Sequence, residues 1–273
     1  MTARSIYQDF WARVGERFPD LGGAASTRYY AANEQRLFTD HFPPLEGLRL
    51  LKTDLWDEAK NTRILAWASE RGARAYGIDI SPPTVRQAHG AFKPGTPARL
   101  RGAVADVRDL PFRDGCFDAI YSMGTIEHFD ETERAVAEIA RVLKPGGVAI
   151  IGVPNRHDPF LRPLLVTAMQ ALGLYGYGYE KSYSRRGLKR LLNGAGLNVV
   201  AETAILFIPG WLRMLDLACH SWLRPCAALT GALIRPFVLL DRHVPAVRRH
   251  GYLLATVVTK RPLNPDAKGH PPQ

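Results

Sequence analysis

Hydrophobic and polar positions from residue 46 onward follow two periods in turn. Short apolar runs, "LRLLKTDL", "RAYGIDIS", "ARLRGAVAD", "FDAIYSM" and "GGVAIIGVP", have the length and β-branched content of buried strands. Between them, apolar residues recur every three or four positions in "NTRILAWASERG", "PPTVRQAHGAF" and "ETERAVAEIARVL", which predicts helices. In the first of these, Asn61 or Thr62 is the expected cap, Ile64, Leu65 and Trp67 or Ala68 the inward face, and Gly72 the stop. In the second, proline occupies the first turn. A further helix, "SRRGLKRLLNGAG", precedes two last strands, "NVVAETAILFI" and "GYLLATVVTK". Continuous apolar strands alternating with helices predict an α/β fold: a seven-stranded, mostly parallel Rossmann-like sheet with helices on both faces.

Three stretches stand outside this alternation. Residues 1–45 are polar and helical in pattern, with "FWARVGERF" and "STRYYAANEQRLFTDHF" ended by Pro43 and Pro44, and are expected to cover the active site of the domain at 46–260. Insertions at about 156–183 and 208–250 are rich in Leu, Trp and Tyr and predict a helical cap. The tail, 261–273, is polar and Pro-rich and is expected to be disordered.

Composition narrows the partners. The chain has 273 residues, 46% of them hydrophobic, enough for one large packed domain with insertions. Its three cysteines, Cys116, Cys219 and Cys226, form no CxxC pair, which argues against a disulfide framework and a zinc site. With no secretory pattern in "MTARSIYQDFWARVGERF", a cytoplasmic location is expected, with contact at the inner face of a membrane left open. A formal charge of +10 suits an anionic partner, whether membrane surface, nucleic acid or acidic substrate; the plain alternative is solubility alone.

In an open α/β sheet, ligands bind at the carboxyl ends of the strands. The second strand ends at Asp79, suited to a ribose diol, with Ile80 beside it. The third ends at Asp106 and Val107, where a carboxylate suits an exocyclic amine. The fourth ends in "SMGTIEHF", where Ser122 and Gly124 bring backbone close to a flat ligand and His128 is a candidate general base. Each alone is a weak signal, since acids at strand ends often cap the next helix, and His128 can equally be pocket wall.

Together, "YGIDIS", "GAVADVRDLPFRDGCFDAIYSMGTIEHF", "RVLKPGGVAIIGVPN" and "YSRRGLKRLLNGAGLNVV" resemble successive motifs of the class I S-adenosylmethionine-dependent methyltransferases, near the ubiquinone and menaquinone subgroup. The likeness covers roughly residues 48–207 and the last strand. It implies S-adenosylmethionine as cofactor, with Asp79 on the ribose, Asp106 and Val107 on the adenine, and Ser122 to His128 lining the methionine side and the catalytic pocket.

The first motif departs from that family, which carries an acid and a Gly-x-Gly loop. This chain has "KTDLWDEAKNT", and no glycine from Leu48 to Arg71. A cofactor without phosphate needs no phosphate cradle, only partners for an ammonium, a carboxylate and a sulfonium. Asp54, Asp57 or Glu58 can take the ammonium; Lys52, Lys60 or the amides of the helix near Asn61 can take the carboxylate. Methyl transfer itself requires mainly positioning and exclusion of water. Tyr29, Tyr30, His41 and His157 are further residues within loop reach of such a pocket.

The insertions point to a hydrophobic acceptor. The run from Pro163 to Tyr179 is uncharged but too short and glycine-rich for a good membrane span. In 208–250, Arg213, Arg224, Arg235 and Arg242 punctuate apolar sequence with Trp211 and Trp222, a pattern of interfacial anchors or of a helical cap packed on the domain. The resulting expectation is a methyltransferase for a small, lipid-like acceptor, with peripheral membrane contact through 208–250 and cofactor binding separable from that insertion. The alternative is a non-catalytic binding or scaffold protein, favoured only by the altered loop. No nucleic-acid partner is expected, because the chain lacks the proline-and-aromatic tetrapeptide, such as "NPPY", that clamps a base: the corresponding place after the fourth strand reads "SMGTIEHF".

Overall fold

A computed structural model describes residues 3–92 and 98–261. All but the first residue of the expected disordered tail lies outside these. The elements run α1 (Ala3–Arg17), α2 (Ala25–His41), β1 (Arg49–Lys52), α3 (Trp56–Lys60), α4 (Ile64–Ser69), β2 (Arg74–Asp79), α5 (Pro82–Ala88), β3 (Leu100–Val104), β4 (Phe117–Met123) and α6 (Thr132–Val142). They continue with β5 (Leu143–Pro154), α7 (Arg162–Ala171), α8 (Arg185–Gly194), β6 (Leu197–Ile205), α9 (Gly210–Trp222), α10 (Ala227–His243) and β7 (Leu253–Lys260).

The seven strands form one sheet in the order β3-β2-β1-β4-β5-β7-β6, parallel except for β7. Leu50 and Leu51 on β1 and Ala119, Ile120 and Tyr121 on β4 are fully buried, so the sheet centre is covered on both faces. On one face, α6 packs Ala135, Val136 and Ile139, and α8 packs Leu188 and Leu192. The other face carries α2, α4 and α5, with Leu37, Phe38, Ile64, Leu65 and Val85 in its core. Two helix starts follow local rules: Ser81 accepts from the Thr84 amide and Ser184 from the Gly187 amide.

Two expectations change. The helix expected over residues 61–72 is the shorter α4, and an unexpected short helix, α3, precedes it in the loop, with Arg63 between them in the left-handed region at φ 58°. Neither Asn61 nor Thr62 caps α4. The Glu58 carboxylate does, accepting from the Leu65 amide at 2.9 Å and the Ala66 amide at 3.3 Å. The polar composition of α2 also misleads, since Asn33 and Glu34 are buried. Asn33 accepts from the Leu206 amide at 3.0 Å, and Glu34 accepts from the Tyr121 hydroxyl at 2.8 Å. Those bonds let polar side chains sit in the core.

The 208–250 insertion folds as α9 and α10. They pack on α2, with Leu212, Cys219 and Ile234 buried. Asp216 accepts from the Ser26 amide and the Thr230 hydroxyl, both at 2.7 Å. Asp241 pairs with Arg36 at 2.9 Å.

Candidate active site

A cavity of about 840 Å³ opens at the carboxyl ends of β1, β2, β3 and β4, where strand order reverses on either side of β1. Helices α1, α7 and α9 roof it.

The glycine-free loop is ordered around one cation. Lys52, at the end of β1, has no exposure, and its Nζ lies 2.8 Å from Asp54 Oδ1 and 3.0 Å from Asp57 Oδ2. Burial alone would lower its pKa, but Asp54, Asp57, Glu58 and Glu34 together hold it above the ordinary lysine value. Asp57 also accepts from Asn61 Nδ2 at 2.8 Å, and Asp54 from Thr125 Oγ1 at 3.1 Å. Asp54 and Asp57 line the cavity.

Lys52, Glu58 and Lys60 do not line it, which corrects three expectations. Lys52 is enclosed by its carboxylates, and Glu58 faces the α4 amides, so those amides are not available to a ligand carboxylate either. Ser122 is likewise displaced: it is fully buried, and its hydroxyl accepts from Thr53 Oγ1 at 2.8 Å.

Asp79 and Ile80 line the cavity and are half-buried. Asp79 Oδ2 accepts from the Leu55 amide at 2.9 Å and Oδ1 from the Ser81 amide at 2.8 Å, so it ties the atypical loop to α5. Burial pushes its carboxyl up to about 7, against the pull of those two amides. Asp106 and Val107 also line the cavity. Asp106 is engaged by Arg108, whose Nη2 is 2.7 Å from Oδ2 and whose Nη1 reaches Glu131 at 2.7 Å.

At the end of β4, Gly124 takes φ 75°, and a Cβ there would point toward Glu127 Oε1 at 3.7 Å, so the missing side chain leaves the backbone open to a ligand. Glu127 is 1% exposed, and its Oε2 has no hydrogen-bond partner among the described residues. Burial, then the charge of Glu180, holds its pKa well above the ordinary carboxylate value. His128 Nδ1 lies 2.8 Å from the Tyr179 carbonyl oxygen. A carbonyl only accepts, so Nδ1 carries the proton and Nε2 keeps its lone pair. Burial lowers the His128 pKa, opposed by the Glu180 charge and the Tyr179 carbonyl, and the ring is therefore neutral at pH 7. Trp11 of α1 meets it edge-on at 4.9 Å.

The roof mixes aromatic and aliphatic side chains. Phe18 stacks on Tyr177 at 5.0 Å, with Trp56 edge-on to both. Leu165 and Met169 of α7 and Leu217 and Trp222 of α9 extend the apolar wall. Arg162 forms a buried bidentate pair with Glu180, at 2.6 and 3.0 Å. Arg213 lines the cavity and is 9% exposed, so it is not a surface anchor. Of the four residues expected to reach the pocket from loops, Tyr29, Tyr30 and His41 lie in α2, and Tyr30 alone of the four reaches the cavity. Sequence reasoning placed Glu127 only within the Ser122 to His128 stretch, with no role of its own, and did not single out Arg213, which was indistinguishable from the three other arginines of its segment.

Residues 59–151 match the family described as "Methyltransferase domain". The chain is 30% identical over 194 residues to 2-methyl-6-phytyl-1,4-hydroquinone methyltransferase of Synechocystis sp., covering 68% of this chain and 58% of that protein. It is 26% identical to the mitochondrial ubiquinone biosynthesis O-methyltransferase of Rattus norvegicus, covering 76% and 62%. It thus spans about six tenths of the length of either relative. The structure of magnesium protoporphyrin IX methyltransferase from Synechocystis, with bound S-adenosylhomocysteine (SAH), superposes with a TM-score of 0.58 at 12% identity, over 94% of this chain and 99% of that one.

Proposed function

Because the chain belongs to the class I S-adenosylmethionine-dependent methyltransferases, we propose that it transfers a methyl group to a hydrophobic, lipid-like acceptor such as a hydroquinone. One observation carries this reading: a single cavity joins the strand-end carboxylates to an apolar wall built by the two insertions.

The side chains fit the cofactor. Asp79 retains acceptor capacity for a ribose diol beyond its two amide bonds, and Gly124 leaves open backbone where the methionine side would pass. Asp106 and Val107 would hold the adenine. Asp54 and Asp57, which exceed the one lysine between them in charge, would hold the ammonium. S-adenosylmethionine, when bound, supplies a methyl group on a cationic sulfur. The chain's own task is to hold the acceptor in line and to exclude water, which suits the aromatic roof of Phe18, Trp56 and Tyr177. For a hydroxyl acceptor, His128 Nε2 takes the proton that the oxygen gives up. The feature that favoured a non-catalytic protein, the glycine-free loop, is a bonded wall of this cavity and gives that alternative no support.

Peripheral membrane contact belongs to the same reading. Trp211, Trp222, Leu223, Leu229 and Leu233 are exposed beside Arg224, Arg235 and Arg242. The two acids in 208–250, Asp216 and Asp241, are both buried, so the outer face of α9 and α10 is apolar and basic. Among the described residues no helix is long and apolar enough to cross a membrane.

The deciding experiment is titration calorimetry with SAH, followed by a methyl-transfer assay on prenylated hydroquinones. Binding and turnover are expected. Absence of nucleoside binding would sink the proposal; binding without turnover on any hydrophobic phenol would sink the acceptor class.

A further inference from the structure

The glycine-free loop leaves one end of the methionine group without a partner. Its ammonium has Asp54 and Asp57, but each sequence-derived candidate for its carboxylate is otherwise engaged or turned away: Lys52 enclosed, Lys60 outside the cavity lining, the α4 amides capped by Glu58.

A cation of the right kind does reach the cavity, from the opposite end of the chain. Arg213 is 9% exposed, and its guanidinium lies over the Tyr30 ring at 5.2 Å and near the Tyr252 ring at 5.9 Å. Its one hydrogen bond among the described residues is a long one, from Nη1 to the Ser26 carbonyl at 3.4 Å. Among the described residues no carboxylate lies within ion-pair distance of it. The other buried arginines at the cavity are paired, Arg108 with Asp106 and Glu131, Arg162 with Glu180. Asp216, one turn further along α9, is engaged by Ser26 and Thr230. A buried guanidinium without an anion is costly, and its planar fork matches a carboxylate. Tyr30, Asp54, Asp57 and Arg213 all line the same cavity, so it offers both carboxylates and a guanidinium, the two kinds of partner that an amino-acid zwitterion requires.

We infer that Arg213 binds the carboxylate of the cofactor's methionine end, so that the amino-acid head is held between the Asp54–Asp57 pair and a guanidinium supplied by the 208–250 insertion. This rests on the methyltransferase reading above. It makes the insertion part of the cofactor site and not of the acceptor wall alone. It also explains how a first motif without glycines holds the group that a glycine loop would otherwise hold with its backbone.

The test compares two ligands by calorimetry, SAH and its decarboxylated analogue, on the parent protein, Arg213→Gln and Arg213→Lys, with thermal melts to check folding. The parent should prefer SAH by about 10- to 100-fold, the range for a charged hydrogen-bonded pair. Arg213→Gln should bind the analogue as the parent does and bring the preference down to about threefold or less, whereas Arg213→Lys should keep part of it. A parent that binds both ligands equally would overturn the assignment without involving any variant. So would an undiminished preference in Arg213→Gln, including the case in which that variant loses affinity only for an acidic acceptor, which would assign the anion to the acceptor. A parent that binds neither ligand would overturn the cofactor reading itself, and this one with it.

Discussion

Asp79 joins a fold contact and a raised pKa to the proposed ribose site. Its carboxyl holds a proton up to about pH 7 because burial outweighs the Leu55 and Ser81 amides. A group raised above its unfolded value of about 3.9 stabilises the fold most at low pH, and that contribution is lost as pH rises through about 7. A ribose diol donates hydrogen bonds and so favours the ionised form. SAH binding should therefore release a proton near neutral pH and tighten from pH 6 to pH 8, as calorimetry in buffers of different ionisation enthalpy would record. Asp79→Asn should weaken binding by about 1.5–3 kcal/mol and flatten that pH dependence. Glu58 is also raised, to about 7, by burial, but it faces α4. Glu58→Gln should lower the melting temperature, at a cost of about 1 kcal/mol for a weakened cap, and leave SAH affinity within twofold of the parent. If Glu58→Gln instead matches Asp57→Asn in lost affinity, the division of the loop into wall and support is wrong. His128 has the opposite sign. Its pKa is lowered by burial, so the neutral ring persists below the usual imidazole range and its contribution to stability is lost as pH falls through that lowered value. The acid limb of the rate profile should lie below the value for free imidazole, and His128→Gln should remove it.

At the scale of elements, the insertion and the N-terminal helices act as one body. Asp241 of α10 accepts from Arg36 and Asn33 of α2, and Arg248 reaches it as well. Asp216 of α9 fixes the start of α2. These bonds run against the expectation that 208–250 can be cut away while cofactor binding survives. Replacing it with a short turn would uncover the α2 core around Tyr30 and remove Arg213. The shortened protein should lose SAH binding along with methyl transfer and melt at a lower temperature. A shortened protein that binds SAH like the parent would mean that α9 and α10 serve the acceptor alone. A milder probe is Asp241→Ala, which strands Arg36 and Asn33 and should cost about 2 kcal/mol in chemical denaturation.

For the whole molecule, the formal charge of +10 and the apolar outer face of α7, α9 and α10 act together. Leu161, Leu164 and Leu172 near α7 continue the exposed surface of the insertion. Trp222 belongs both to that surface and to the cavity wall, so the cavity mouth opens beside it. A lipid-like acceptor could then enter from a bilayer without crossing water. The protein should float with anionic vesicles at low salt and release as salt is raised, since screening weakens the Arg contribution. Reversing Arg224, Arg235 and Arg242 to Glu should abolish flotation but keep SAH affinity, because none of the three lines the cavity. Equal recovery with neutral and anionic vesicles would remove the electrostatic part of this account.

The sequence by itself determined the sheet and its cofactor edge. Apolar runs of strand length and the intervening helical periods are local signals, and a strand's last residue must face the crevice beyond it. Hence Asp79, Ile80, Asp106, Val107, Gly124 and His128 all line the cavity, though the bonds that Asp79 and Asp106 make within the protein were not legible. Tertiary structure alone decided the charged loop and the insertion. In "KTDLWDEAK" five ionisable residues lie within nine positions, and composition cannot say which turn inward. The break at Arg63 and the winding of α3 and α4 around Glu58 sort them: Lys52 to the interior, Glu58 to the helix amides, Asp54 and Asp57 to the cavity. The four arginines of 208–250 were equivalent in sequence for the same reason. A helix repeats its faces every 3.6 residues, but which face meets the protein depends on contacts with residues nearly two hundred positions away, such as the bond between Asp216 and Ser26 that turns Arg213 into the cavity.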